Sequence, residues 1–452
     1  MHSNRAHSRH RPHQEWLEYF FVYSLLISTG GFVFFLTGWN PSQALTEEPA
    51  SYLGRINTLA ISLITFWIYL RNYKTVNVAI RASWPLFLFP IVAFLSCFWA
   101  DDFAVTFRRA YALSFSFLAA ACLVALLPPV RMLRSLCLAL GLAMILSVIF
   151  SIFLPNFGVH QAGEWLEPRW AGHWRGIYTH KNTLGNTASF ALLMFAVFSK
   201  HVIGSAVFRR ATLIAVGACL FGAASSTGLV VAMVMVAASL SFSLLLNARR
   251  GTRTLILGSA FFFLVLAIAT AIPILSVVFE LLGKEPDLTG RVPIWGTLLP
   301  WALERPWLGY GFSSFELAML PRFFALTGER LVNAHNGYLE TFINFGYLGL
   351  AILATVFISF VRNVVYLLKR QSPYERLILP FAVAIFVGVL CSNITESFFL
   401  AYSSIHGVIF AIAYILVAVS RSVTTASTSQ RASHTKRLQL GVPSQIPIGA
   451  AK

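Results

Sequence analysis

The feature that most constrains this chain is its succession of long apolar runs bounded by charge or turn residues. They fall at roughly 16–37, 56–71, 83–100, 110–128, 132–154, 183–199, 211–226, 228–246, 254–275, 338–368, 377–395 and 400–419. A helix needs about 20 apolar residues to cross a hydrocarbon core ~30 Å thick. The runs therefore read as about twelve transmembrane helices, and the expected fold class is an all-α polytopic membrane protein. Composition agrees: 57% of the 452 residues are hydrophobic and only 11% are charged. A soluble domain carries about 25% charged residues. A water-solvated globule, a coiled coil, a disordered tail and a collagen-like fibre are all excluded.

The net charge of +17 invites a nucleic-acid reading, but the distribution of charge decides against it. With the N-terminus placed inside, one set of alternate segments holds 23 of the 34 basic residues and three acids, Glu15, Glu18 and Glu375. The other set holds 11 basic and 14 acidic residues. That asymmetry is the positive-inside pattern, and anionic lipid at the inner leaflet accounts for it. Membrane lipids are expected partners, and nucleic acid is not. Both termini are expected in the cytoplasm. The division is a tail at 1–15, a transmembrane body at 16–420 and an unfolded tail at 421–452. The first apolar run is too long for a signal peptide and lacks a small-residue cleavage pattern. The five cysteines lie inside apolar runs without metal or disulfide spacing and read as small core residues.

Two loops on the outer side are long, about 155–182 and about 276–337, and together hold six of the eleven Trp. Loops of that length in a compact protein are usually functional. The spans are almost free of ionisable groups, which an ion-coupled transporter would keep deep in the bilayer. The working site therefore belongs at the outer face. In the first loop Arg169, His173, Arg175, His180, Lys181 and Asn182 alternate with Trp165, Trp170, Trp174 and Tyr178. Phosphate-binding cations among sugar-stacking rings suit a glycolipid head, and an interfacial aromatic belt accounts for the same residues. In the second loop Arg291 precedes a short helix whose Ile294, Trp295, Leu298, Leu299 and Ala302 share a face, lying on the membrane or capping a cavity. Leu308–Phe312, LGYGF, lacks a pore context, so Gly309 and Gly311 read as turn glycines.

The third element is His335, just before a helix of about 30 residues, longer than the hydrocarbon core. A histidine held there titrates in the neutral range suited to general base work, with Asn336 and Glu340 close enough to orient it. An interfacial histidine at a helix start is the plainer reading. Gly346 and Gly349 permit close helix packing. The N-terminal histidines, His2, His7, His10 and His13, are set apart from the site.

Together these pieces resemble the bacterial O-antigen ligase / Wzy-type polymerase superfamily. His335-Asn336, nine residues, Gly346, two residues and Gly349 match its His-Asn…Gly-x-x-Gly signature, and LTGRVPIWGTLLPWALERPWLGYGFSSFE resembles the block upstream. WRGIYTHKNTLG looks most like the ExoQ-type exopolysaccharide polymerase branch. The resemblance implies a GT-C-like, metal-independent glycosyltransferase without cofactor in the bacterial inner membrane, using a glycan on undecaprenyl pyrophosphate as donor. It implies His335 as catalytic base and Arg175 and Arg291 as the grip on pyrophosphate. Arg169, His180, Lys181, Asn182 and Asn336 are expected to contact substrate. A chain-length regulator and an export complex are implied partners. The polymerase reading leads, a ligase passing polymer to lipid A core is the alternative, and a non-catalytic polysaccharide exporter or flippase is the reading from another class.

Overall fold

The computed structural model describes residues 12–28, 52–162, 170–248, 252, 291–328, 331, 333–369, 372–400 and 404–439. The run at 254–275, Trp165 and Arg169 lie outside the described residues. The other apolar runs coincide with helices: α1 (Pro12–Ser28), α2 (Tyr52–Arg71), α3 (Tyr73–Ala82), α4 (Trp84–Leu95), α5 (Phe103–Leu126) and α6 (Pro129–Phe153). These are followed by α7 (Lys181–Leu193), α8 (Ala206–Ala223), α9 (Ser226–Asn247), α10 (Arg291–Ala302), α11 (Leu320–Thr327), α12 (Gly337–Leu367), α13 (Pro373–Thr395) and α14 (Ile405–Gln439). Among the described residues there is no strand, only an isolated bridge between Val159 and Trp174. The chain is an all-α polytopic membrane protein.

Twelve spans are expected from the sequence; among the described residues seven helices are long and apolar enough to cross a membrane. They are α5, α6, α8, α9, α12, α13 and the Ile405–Val423 part of α14. An eighth arises if α3 and the segment Trp84–Phe98 form one broken span. The run at 83–100 is thus not a straight span: those two segments meet at 95°. The cause is local. Pro85 in the first turn of α4 has no N–H and blocks continuation of α3. Ser83 Oγ closes the end of α3 by donating to Ala79 O at 2.6 Å. The run at 183–199 is likewise interrupted, by a π-helical turn at Met194–Phe198. The last helix continues past Arg421 to Gln439, into the stretch read as an unfolded tail.

Helix starts follow from their capping residues. Asp102 accepts from Val105 N at the start of α5, Ser205 from Phe208 N at α8 and Ser225 from Gly228 N at α9. Ser372 and Glu375 form a capping box with Pro373 at the first position of α13. The main core joins α5, α6, α7, α12, α13 and α14 through Phe117, Leu140, Phe190, Phe345, Phe386 and Phe410. Cys97, Cys122, Cys137 and Cys219 are buried and all five thiols are free. A second, smaller core lies in the second long loop, where Leu298, Ala302, Tyr310, Phe315, Met319 and Phe323 pack over Phe342 and Ile343. The expected apolar face of α10 holds at Leu298 and Ala302, whereas Leu299 is exposed. Leu299 therefore faces away from the core that Leu298 and Ala302 build.

Helix α12 is not one rod. Gly346 has φ 60 and ψ −151, and the helix breaks there. The break frees backbone groups on both sides, and buried ones must find partners. The second loop supplies them. Tyr310 N donates to Ile343 O at 2.8 Å and Gly311 N to Asn344 O at 3.0 Å; Tyr347 N donates to Pro306 O at 2.7 Å and Leu348 N to Trp307 O at 3.2 Å. The Pro306–Gly311 stretch is thus stitched into α12 at its kink. Gly346 serves this junction rather than the helix packing expected of it, because a Cβ there would lie 2.4 Å from Pro306 O. Gly346→Ala combines that clash with positive-φ strain of about 1–3 kcal/mol. Its unfolding midpoint in detergent is expected to fall well below that of a Gly296→Ala control, since a Cβ on Gly296 meets nothing within 4 Å. Equal midpoints would show that the junction does not hold the helix.

Candidate active site

The N-terminal ends of α7, α10 and α12 and the C-terminal end of α13 converge on one carboxylate, Glu396, which is 4% exposed. Glu396 follows directly after α13 and is anchored by its own backbone: its N–H donates to Ser392 O at 2.8 Å and its carbonyl accepts from Gly337 N at 3.0 Å. Its side chain then meets all three sequence blocks. Oε1 accepts from Arg291 Nη2 at 2.7 Å and from Asn182 Nδ2 at 2.9 Å. Oε2 faces His335 Nδ1 at 3.7 Å. Burial alone would raise the Glu396 carboxyl, but the charges and contacts of His335, Arg291 and His180 outweigh it and hold the group below the ordinary carboxylate range.

His335 is held in a left-handed conformation, φ 48, which costs a non-glycine residue about 1–3 kcal/mol and recurs at functional sites. Its backbone N–H donates to Asn333 Oδ1 at 2.8 Å. Trp295 Nε1 and Glu340 hold the residue before it, the first donating to Ala334 O at 3.0 Å and the second accepting Ala334 N at 3.3 Å. The ring itself is half-buried, and its Nδ1 has no hydrogen-bond partner within 3.5 Å.

Asn336 serves α12 as its N-cap, accepting from Tyr338 N and Leu339 N, both at 3.0 Å. His180 serves α7 in the same way, accepting from Asn182 N at 3.0 Å through Nδ1. Burial pushes the His180 imidazole down to about 3, so it caps as a neutral ring. Lys181 is buried, its Nζ donating to Ala224 O at 3.5 Å and lying 5.5 Å from the Trp170 ring centre. Trp170 in turn stands edge-on to His180, ring centres 4.3 Å apart. His160, which the sequence reading passed over, accepts from Lys181 N at 3.3 Å through Nε2.

Arg175 does not join the Glu396 group. It is 1% exposed, and its guanidinium donates to Phe157 O at 2.6 Å and Asn156 O at 3.2 Å. With Arg175 N on Gly158 O and the Val159–Trp174 bridge, it folds the first loop back on itself, and Trp174 N on Gly222 O ties that loop to α8. Six of the expected residues, His180, Lys181, Asn182, Arg291, His335 and Asn336, thus sit at one end of the bundle. Glu396, like His160, is a residue that sequence reasoning missed. Its only signal is a lone carboxylate between the apolar runs at 377–395 and 400–419, neither of which holds an acid.

By architecture this is a polytopic helical membrane protein with a buried carboxylate and arginine and a half-buried asparagine and histidine at one end of its bundle. The model of a family described as O-antigen ligase matches residues 211–354, about a third of the chain. The resemblance read from the sequence is thereby supported: over that third the chain is similar to the O-antigen ligase / Wzy superfamily, a likeness that indicates a membrane glycosyltransferase of the ligase or polymerase type. The match contains Arg291, His335 and the Gly346 break, and leaves Asn182 and Glu396 outside it. No curated protein matches the chain.

Proposed function

We propose that this chain polymerises oligosaccharide repeats carried on undecaprenyl pyrophosphate, at the periplasmic face of the bacterial inner membrane and with both termini in the cytoplasm. The supporting observation is the convergence of three separate sequence blocks, His180-Lys181-Asn182, Arg291 and His335-Asn336, around one buried carboxylate. His335 takes the proton from the acceptor hydroxyl, whose oxygen attacks the anomeric carbon of the donor glycan. The bond from that carbon to the pyrophosphate oxygen breaks, and its electron pair leaves with the lipid pyrophosphate. Arg291 stabilises the charge that develops there. Its bond to Glu396 takes one of the five guanidinium donors, and fixed donors aimed at developing charge are worth most where water is excluded. Arginine thus fills the role that a metal ion fills in other transferases, and neither metal nor cofactor is required. Arg175 contributes by fixing the first loop, which presents Trp170, Lys181 and Asn182 to the sugar and phosphate. Arg169 stands in that same loop as a further phosphate contact, and a chain-length regulator and an export complex act downstream.

The HKN triplet favours the ExoQ-type polymerase over a ligase to lipid A core. Deletion of the gene followed by analysis of lipid-linked oligosaccharides separates the readings. Accumulation of single lipid-linked repeats supports the polymerase. Accumulation of long lipid-linked polymer would make the chain a ligase, and repeats trapped on the cytoplasmic face would make it an exporter.

A further inference from the structure

We propose that Glu396 is a positioning residue for His335: its Oε2 holds the imidazole in the tautomer protonated on Nδ1, which leaves Nε2 as the atom that takes the acceptor's proton. This rests on the reading of His335 as the base, and three observations carry it. First, Nδ1 is a buried ring nitrogen without a hydrogen-bond partner, and the oxygen facing it is Glu396 Oε2 at 3.7 Å. That gap exceeds a hydrogen bond, and catalytic contacts are commonly long before substrate arrives. Second, the other carboxylate oxygen is already held by Arg291 and Asn182, so the carboxylate cannot turn without breaking two bonds. Third, Gly337 N donates to Glu396 O at 3.0 Å. The backbones beside the two side chains are thus tied together, whatever the rings and carboxylates do.

The proton balance is complete without an added reagent. Nε2 receives the hydroxyl proton, the imidazolium is stabilised by the Glu396 carboxylate, and the proton then passes to water once lipid pyrophosphate has left. Glu396 itself stays ionised throughout. The charged and titratable groups around it are Arg291 from α10, His180 and Lys181 from the α7 terminus, His335 before α12 and His406 from α14. A carboxylate serving only as a partner for Arg291 would lower turnover and leave its pH profile in place. A positioning carboxylate lowers turnover and moves the pH profile.

The test uses the full-length protein in detergent with lipid-linked oligosaccharide extracted from a strain lacking the chain. Glu396→Gln is expected to lower turnover at saturating donor on the order of 10²-fold or more, as losing the carboxylate that fixes a catalytic imidazole does. The acid limb of the residual turnover should move to lower pH, because a facing negative charge no longer favours the protonated ring. Glu396→Gln leaves Arg291 buried without its counter-charge and thus endangers folding. Arg291→Gln is therefore compared with the charge-balanced Arg291→Gln/Glu396→Gln pair, where the same shift of the limb is expected. An acid limb that stays in place in both comparisons overturns the proposal and leaves Glu396 as a structural partner of Arg291. His335→Ala run alongside keeps the two levels distinct: normal turnover in that variant overturns the base assignment itself.

Discussion

His335→Ala is expected to abolish polymer formation, cutting turnover about 10²–10⁴-fold, the usual cost of removing a general base. Protein level and donor affinity should stay close to those of the wild type. The expectation follows from how little of the local fold uses the imidazole. The backbone of His335 is held by Asn333, and its neighbours by Trp295, Glu340 and the Asn336 cap. The ring itself makes no hydrogen bond through Nδ1. Alanine also relieves none of the positive-φ strain at this position, so a stability change of more than ~1–3 kcal/mol would be out of scale. Because a base must start unprotonated, wild-type turnover should fall as the medium is acidified.

His180→Ala is the informative contrast. With its folded pKa lowered to about 3, His180 is neutral at all working pH values, and the unfolded chain binds the proton more readily. Its burial therefore supports the fold fully above the unfolded value near ~6.5 and progressively less as pH falls below it. Losing its cap should lower the unfolding midpoint by the equivalent of about 0.5–2 kcal/mol, with most turnover retained. Turnover and donor affinity measured on both variants separate the roles. A His335→Ala enzyme that loses donor affinity while keeping its turnover would make that histidine a substrate ligand.

Much of this arrangement is legible in the sequence because it depends on local pattern. Apolar runs mark the helices, and the two long loops carry the cations and rings that meet at one end of the bundle. The runs cannot reveal where a helix breaks. Pro85 turns the 83–100 run away from α3, and Gly346 breaks α12, each for a reason set by neighbours in space. Side-chain type also fails to tell a ligand from a clamp. Arg175, His180 and Asn336 were singled out for their chemistry, and the fold spends all three on backbone groups. Glu396 was invisible for the opposite reason. It belongs to no spaced motif, and its partners Asn182, Arg291 and His335 come from three distant parts of the chain. A single acid at the end of a span acquires meaning only when those parts are brought together.

Arg291→Lys is also expected to be strongly damaging, lowering turnover about 10- to 150-fold. That corresponds to one charge-assisted hydrogen bond of ~1.5–3 kcal/mol. Lysine keeps the charge and still reaches toward Glu396, so the buried pair is not broken and the protein should accumulate normally. What it loses is geometry. The guanidinium is a planar fork, and with Nη2 committed to Glu396 at 2.7 Å its remaining N–H groups hold fixed directions. An ammonium is a point charge on a flexible stem that must choose between Glu396 and the phosphate. If it turns to the phosphate, Glu396 loses its buried counter-ion; if it stays, the leaving group loses its stabilising donor. Either choice slows the step in which charge builds on the pyrophosphate, so the defect should appear in turnover at saturating donor more than in donor affinity. Turnover within twofold of wild type for Arg291→Lys would show that a positive charge alone suffices there, and would remove the guanidinium from the mechanism.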